Sequence, residues 1–226
     1  MTGVLEASAL LLTLFLFSLI SHRLKSLDRN GIIIGNAVGI AVYLLGGLQS
    51  FFLMVFFFII AEASTKIGRM KTEEKHEVRT TGNILGNSSA ALIALFLGSV
   101  PGFYGAVSAA LADTLSSEIG LTSKKKPLLI TTLKEVEAGT NGGITSKGMW
   151  AAALGALSIA LIQFYFSRSI GLFFVVTIAG IIGSVFDSLI GALFERKGML
   201  GNTGVNFLGS LSGAIFAHSA SVIFSF

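Results

Sequence analysis

The chain contains no cysteine. It therefore has no disulfide and no thiolate-held metal. Charge is scarce too: 12% of its 226 residues are charged, against about 25% in an ordinary soluble domain. No Walker A pattern is present, since no Gly-Lys-Ser/Thr triplet follows a glycine at the required spacing. The first apolar run has no basic stretch before it, which argues against a cleavable signal; basic residues follow it instead. What remains is 53% hydrophobic, with 19 Phe, 27 Gly and a mean hydropathy of +0.82. That composition excludes a water-soluble domain and fits packed transmembrane helices, in which glycine permits close backbone approach.

The expected fold is all-α, a polytopic membrane bundle of about eight spans in one membrane domain covering residues 1–226. The apolar runs are 4–20, 32–46, 48–61, 84–100, 102–119, 149–166, 170–194 and 204–224. Several are shorter than the ~20 residues of an upright membrane helix. Residues 31–61 carry no charge and would also fit one long tilted helix. Charge distribution decides between the two. With a turn at Gly46-Gly47, 15 of the 16 Lys and Arg fall in loops on one side, leaving Arg168 opposite. The larger of those loops lie near 62–82 and 120–147. The positive-inside rule then places both termini outside and the basic loops in the cytoplasm, in a multi-pass plasma-membrane protein.

Three carboxylates interrupt or end the apolar runs: Asp113, Glu118 and Asp187. A charged group at bilayer depth costs about 2.5–3.5 kcal/mol on insertion scales, so it normally faces the protein interior and finds a partner there. Each lies among hydroxyls: Thr114, Ser116 and Ser117 in one run, Ser184 and Ser188 in the other. Such a setting suggests a cation site. A structural ion pair is the alternative, but neither helix carries a basic residue to complete it. Asp113 and Ser117 share a helix face, as do Ser184 and Ser188. Glu118 is turned about 140° from Asp113, so the two can share an ion only if the helix unwinds or the loop folds back.

Asp113-Thr114-Leu115 echoes Asp187-Ser188-Leu189, and the helices near them begin with asparagines at i,i+4, Asn83 with Asn87 and Asn202 with Asn206. A two-fold arrangement would gather these four helices around one site. The asparagines serve equally well as interhelical hydrogen-bonding groups, and the small residues Gly180, Gly183 and Gly191 as packing positions. The turn Gly139-Thr140-Asn141-Gly142-Gly143 offers a backbone nest for anions, or is a simple turn. Lys75, Arg79, Lys124, Lys125, Lys126 and Lys134 lie on the same side; the lysine run also suits a topology determinant or an anionic-lipid contact. His22, His76 and His218 lack ligand spacing and are read as non-catalytic. Together these are the parts of metal-assisted phosphoryl transfer.

The ordered series 112–120, 139–143, 183–188 and Asn202 with 205–207 resembles the phytyl-phosphate kinase family, which includes transmembrane protein 19 and was formerly called domain of unknown function 92. The resemblance covers about two thirds of the chain, from Arg79 onward, as in a compact prokaryotic member. Leu115 stands where the family often has Trp. The resemblance implies a membrane kinase that moves the γ-phosphoryl group of a nucleoside triphosphate, typically CTP, to an isoprenyl monophosphate such as phytyl or geranylgeranyl phosphate. The implied partners are those two substrates and the bilayer, with no nucleic acid.

Combining both lines, the expected Mg²⁺ ligands are Asp113 and Asp187, with Glu118 as a third. Arg79 and Lys134 are the expected phosphate-binding cations. Asn83, Asn87, Asn202 and Asn206 are the expected amide donors, joined by Thr114, Ser117, Ser184, Ser188 and the Gly139–Gly143 turn. Two other classes fit the acids: a cation-coupled transporter, and a prenol kinase or cytidylyltransferase acting on a lipid alcohol. The topology has a direct test, because the chain offers no native thiol. A cysteine at Ser169 is expected to react with a membrane-impermeant maleimide in intact cells, and one at Ser123 to stay unlabelled until the cells are opened. The reverse pattern would overturn the orientation.

Overall fold

A computed structural model describes residues 2–71 and 81–225. Seven helices appear among them: α1 (Thr2–Leu24), α2 (Arg29–Lys71), α3 (Thr81–Phe96), α4 (Val100–Gly120), α5 (Ser146–Ser167), α6 (Ile170–Leu193) and α7 (Asn202–Phe224). Two short strands, β1 (Leu128–Leu129) and β2 (Gly143–Ile144), pair antiparallel in the α4–α5 loop. They are the one departure from an all-α reading.

The charge-based choice at residues 31–61 holds. The backbone of α2 breaks at Gly47, where φ is 72° and ψ −171°, a conformation glycine adopts without steric cost. Beyond it the chain doubles back. The rings of Tyr43 and Phe51 meet at 6.4 Å, and a Cβ built on Gly39 would lie 3.3 Å from the Phe51 ring. In an unbroken helix residues 39 and 51 would be about 18 Å apart. The arms 29–46 and 48–71 thus form two antiparallel helical segments, giving eight among the described residues, in line with the expected span count. Five of the seven helices, with α2 counted once, are by themselves long and apolar enough to cross a bilayer. The exceptions are α3, with 16 residues, and α4, the alanine- and glycine-rich centre. Boundaries shift by a few residues from expectation. The largest shift is in α2, which stays helical to Lys71, well into the expected loop.

Small side chains determine the packing. Every residue of α4 from Gly102 to Ala112 is buried, and α4 packs against α2, α3, α5, α6 and α7. A Cβ on Gly213 of α7 would stand 2.7 Å from the Gly105 carbonyl oxygen of α4 and 3.2 Å from the Ala179 carbonyl oxygen of α6. A Cβ on Gly155 of α5 would stand 3.2 Å from the Ala112 Cα. These backbones touch because no side chain separates them, the mode by which membrane helices associate without a hydrophobic driving force between them. Apolar side chains instead cover the outside: Leu11, Phe15, Leu44, Trp150, Leu154, Phe174 and Val222 are all exposed.

The contacts fix the helix directions. Gly180 lies on Ser108 and Gly183 on Ala109, so α4 and α6 run parallel. Gly105 lies on Ala217 and Gly209 on Asp187, so α7 runs antiparallel to both. Gly86 of α3 lies against Thr203 and Asn206 of α7, which brings two helix starts together at the end of the bundle that holds the basic loops. Hydroxyls cap the entries: Ser99 for α4, Thr145 for α5 and Ser169 for α6.

Gly105→Leu is expected to push α4 from α7 and destabilise the bundle by about 1–3 kcal/mol, the usual cost of overpacking. Thermal unfolding in detergent should then occur several degrees lower. An unchanged midpoint would mean that these helices do not meet at Gly105.

Candidate functional site: a carboxylate pair inside the bundle

The parallel course of α4 and α6 brings Asp113 and Asp187 to the same depth, where their carboxyl groups adjoin. Both residues are half-buried, and Asp187 Oδ2 is fully enclosed without a hydrogen-bond donor. Gly209 of α7 closes the pocket from behind: a Cβ there would stand 2.9 Å from that oxygen. Two ionised carboxylates cannot donate to each other, and two like charges 4 Å apart repel by about 4 kcal/mol at a protein-like dielectric. Among the described residues no Lys, Arg or His pairs with either acid; the ion pair found, Lys126 with Glu137 at 2.9 Å, lies out in the loop. The arrangement is therefore incomplete without a shared proton or a cation.

Mg²⁺ fits this donor set. It takes one or two carboxylates, keeps several waters and uses substrate phosphates for the remaining positions. Among the described residues no three His, Cys, Asp or Glu side chains form an all-protein cage.

Glu118 is placed differently from expectation. Its Oε1 accepts a 2.8 Å hydrogen bond from Thr65 of α2, on the side of α4 that its rotation from Asp113 dictates. The helix does not unwind to bring it round. The acid that does approach the pair is Glu195, in a single 3₁₀ turn (Glu195–Lys197) just after α6, near enough to repel both aspartates electrostatically. Sequence reasoning missed it, because Arg196 and Lys197 make the segment read as a basic loop. The available signal was its spacing, eight residues after Asp187 and so near the same helix face.

The glycine-rich turn reaches the same neighbourhood. Gly142, at φ 78°, is pressed onto the last turn of α6, and a Cβ there would lie 2.7 Å from the Ala192 Cα. A Cβ on Gly191 would lie 3.3 Å from the Gly142 nitrogen and 3.6 Å from Glu195 Oε2. The turn is therefore docked about one helical turn beyond Asp187. Its amides are partly committed. Thr140 N–H donates to the Glu137 carbonyl at 3.2 Å, and Gly143 N–H to the Thr140 carbonyl at 2.8 Å. The Thr140 hydroxyl also donates to Glu137 O, at 2.7 Å. Substituting Gly142 would dislodge the loop, so that residue reports on packing before it reports on any ligand.

The remaining residues divide by position. Asn206 is half-buried beside Gly86, three residues from Gly209, and so borders the acid pair. Asn83 and Asn87 share a face of α3 next to that contact, with Asn87 buried. Asn202 is exposed at the start of α7. Ser184 is buried and Ser188 half-buried near Asp187, whereas Ser117 is exposed. The Thr114 hydroxyl donates to Ala110 O at 2.8 Å within its own helix. Gly139 and Asn141 are exposed in the loop, as is Lys134. Lys134 makes backbone contacts there, through its carbonyl to Leu129 N–H and its amide to Thr132 Oγ1. Arg79 lies outside the described residues. The two Asp helices and the two Asn-starting helices do stand side by side. The Asn helix precedes its Asp helix in one case and follows it in the other, so the likeness is of neighbourhood and not of repeated sequence order.

The match to the family described as Integral membrane protein DUF92 covers residues 12–214. An uncharacterized membrane protein of Methanocaldococcus jannaschii is 34% identical over 214 residues, spanning 91% of this chain and 90% of its own length. Protein PGR of Arabidopsis thaliana is 27% identical, over 89% of this chain and 91% of that one. The chloroplastic protein VTE6 of Arabidopsis thaliana is 29% identical, over 84% and 64% respectively. No solved structure matches. With nine tenths of its length inside the family match, the chain belongs to the DUF92 integral membrane proteins, the family to which its motifs point.

Proposed function

We propose that this protein is a membrane-embedded kinase that transfers the γ-phosphoryl group of a nucleoside triphosphate, CTP by preference, to an isoprenyl monophosphate. The observation that carries the reading is the Asp113–Asp187 pair: two adjoining carboxylates inside a membrane bundle, one oxygen enclosed and no basic partner among the described residues. In this reading Asp113 and Asp187 hold Mg²⁺, which offsets charge on the nucleotide phosphates. Relationship to VTE6 and PGR supports the assignment through the family resemblance, and phytyl or geranylgeranyl phosphate is the acceptor class it favours.

The acceptor is already an anion, so the reaction needs no strong general base. An oxygen of the isoprenyl phosphate attacks the γ-phosphorus. A new P–O bond forms as the bond to the β,γ-bridging oxygen breaks, and its electron pair leaves with the nucleoside diphosphate. The protein's task is alignment and charge compensation. Asn206, with Asn83 and Asn87 beside it, supplies amide donors bordering the acids. The Gly139–Gly143 turn sits where the nucleotide would approach, at the basic end of the bundle, which this reading places in the cytoplasm.

Asp113→Asn and Asp187→Asn each remove a charge at nearly constant volume. Each is expected to lower phosphoryl transfer by about 10³-fold, equivalent to about 4 kcal/mol, while the protein still extracts and elutes as a folded species. The assay follows γ-³²P nucleotide into prenyl diphosphate, with prenol and prenyl phosphate offered side by side. An Asn variant that keeps a tenth of wild-type activity would remove that carboxylate from the site. Label that never reaches a prenyl diphosphate, for any chain length or nucleotide, would end the kinase reading and leave the acid pair to ion-coupled transport.

A further inference from the structure

Away from the acids, the bundle contains a second feature that its packing does not explain. A cleft of about 310 Å³ opens between α1, both arms of α2 and the start of α3. That volume is at the lower end of ligand-sized pockets, about 300–1,000 Å³. Its walls are apolar, with Phe17, Val55 and Phe58 among them. Two glycines of α2 line it and let α1 side chains approach closely: a Cβ on Gly35 would lie 2.6 Å from the Phe17 ring, and one on Gly39 3.0 Å from the Leu14 side chain.

Helix α1 forms the outer wall. Helix α1 packs chiefly on α2. Its polar ties to the first arm are Asn36 Nδ2 donating to Ser18 Oγ at 2.8 Å and a longer bond from Tyr43 to Glu6. The tie to the second arm is an edge-to-face contact of Phe17 with Phe58, ring centroids 4.8 Å apart. The bulk of α1 faces outward, where the bilayer lies.

One end of the cleft is polar. Asn83 and Asn87 line it, on the stretch of α3 that also carries Gly86. Gly86, on the same stretch of helix, touches Asn206, and Gly209, one turn further along α7, touches Asp187. The polar end of the cleft thus lies one helix contact, α3 on α7, from the acid pair, and the apolar lining comes from α1 and α2.

We infer that this cleft is the binding site for the isoprenyl chain of the acceptor, entered sideways from the bilayer past α1, with Asn87 at the phosphate end. The inference rests on the proposed acceptor class. Three observations favour an isoprenyl phosphate as occupant: the apolar body, the amide-lined end, and the nearness of that end, across the α3–α7 contact, to the carboxylates. A bilayer acyl chain accounts for the first alone.

The test uses the purified wild-type protein in nanodiscs and a geranylgeranyl monophosphate carrying a diazirine at its far end. Irradiation is expected to label peptides from residues 13–20 and 51–59. Unmodified geranylgeranyl phosphate should suppress that labelling at least tenfold better than a straight-chain alkyl phosphate of equal carbon number. In the activity assay, Val55→Trp should raise the KM for geranylgeranyl phosphate about tenfold and leave the nucleotide KM within twofold. Labelling of other helices, or equal suppression by the straight-chain phosphate, would overturn the inference. Cleft labelling that geranylgeranyl phosphate suppresses, in a protein that transfers no phosphoryl group, would sustain the tail site and refute the kinase reading.

Discussion

The contact of bare backbone with bare backbone at α4, α6 and α7 is the constraint on which the rest depends. Gly105, Gly183 and Gly213 let three helices approach until a Cβ would strike a neighbouring carbonyl. Helices that close have no room to slide by a turn. Register is therefore set, and with it the meeting of Asp113 and Asp187. In a membrane this matters more than in water, because hydrophobicity gives no net preference for helix against helix over helix against lipid. Packing of small residues must supply the specificity that a soluble core draws from burial.

That tight core makes room for an unfavourable feature. Two carboxylates held together away from water are costly when both are ionised, since charge in a poorly solvated site is unfavourable and like charges add to the cost. A structural role would be served better by an acid facing a base, or by an alanine. Such a pair suits the cation-binding role proposed for it. Glu195 deepens the local negative charge, and the glycine-rich turn, fastened to Ala192 and Gly191, brings backbone amides to the rim. Negative charge within and amide donors at the edge together suit a cation carried in with a polyanion.

How far the sequence disclosed this differs from residue to residue. The reversal at Gly47 was legible because charge placement on either side of a membrane is a global bookkeeping constraint, and one extra pass changes it everywhere. The divergence of Glu118 from Asp113 was legible as an angle, since helix geometry sets it locally; its partner Thr65, 53 residues away, was not. Asp113 and Asp187 stood out because nothing else charged shares their runs. Glu195 stayed hidden for the opposite reason: its neighbours are charged, so exposure was the natural reading. The docking of Gly142 on α6 depends on the course of a loop with a small β-pair and a left-handed Leu133, which no local pattern encodes.

The two halves of the bundle differ in a way that bears on mechanism. Helices α3 to α7 interlock through small residues, whereas α1 lies against α2 by a few polar ties and ring contacts. A transporter working by alternating access needs one block to rock against another around its ion site. Here the two aspartates stand on adjacent parallel helices inside one interlocked block, with Gly209 of a third helix at van der Waals distance, so rocking would have to break the closest packing in the molecule. A transferase has the opposite requirement. Its reacting groups must stay fixed while a substrate confined to the bilayer comes and goes. Acids fixed in an interlocked block, with a peripheral helix beside the bilayer, meet that requirement, which supports the proposed kinase reading over ion-coupled transport.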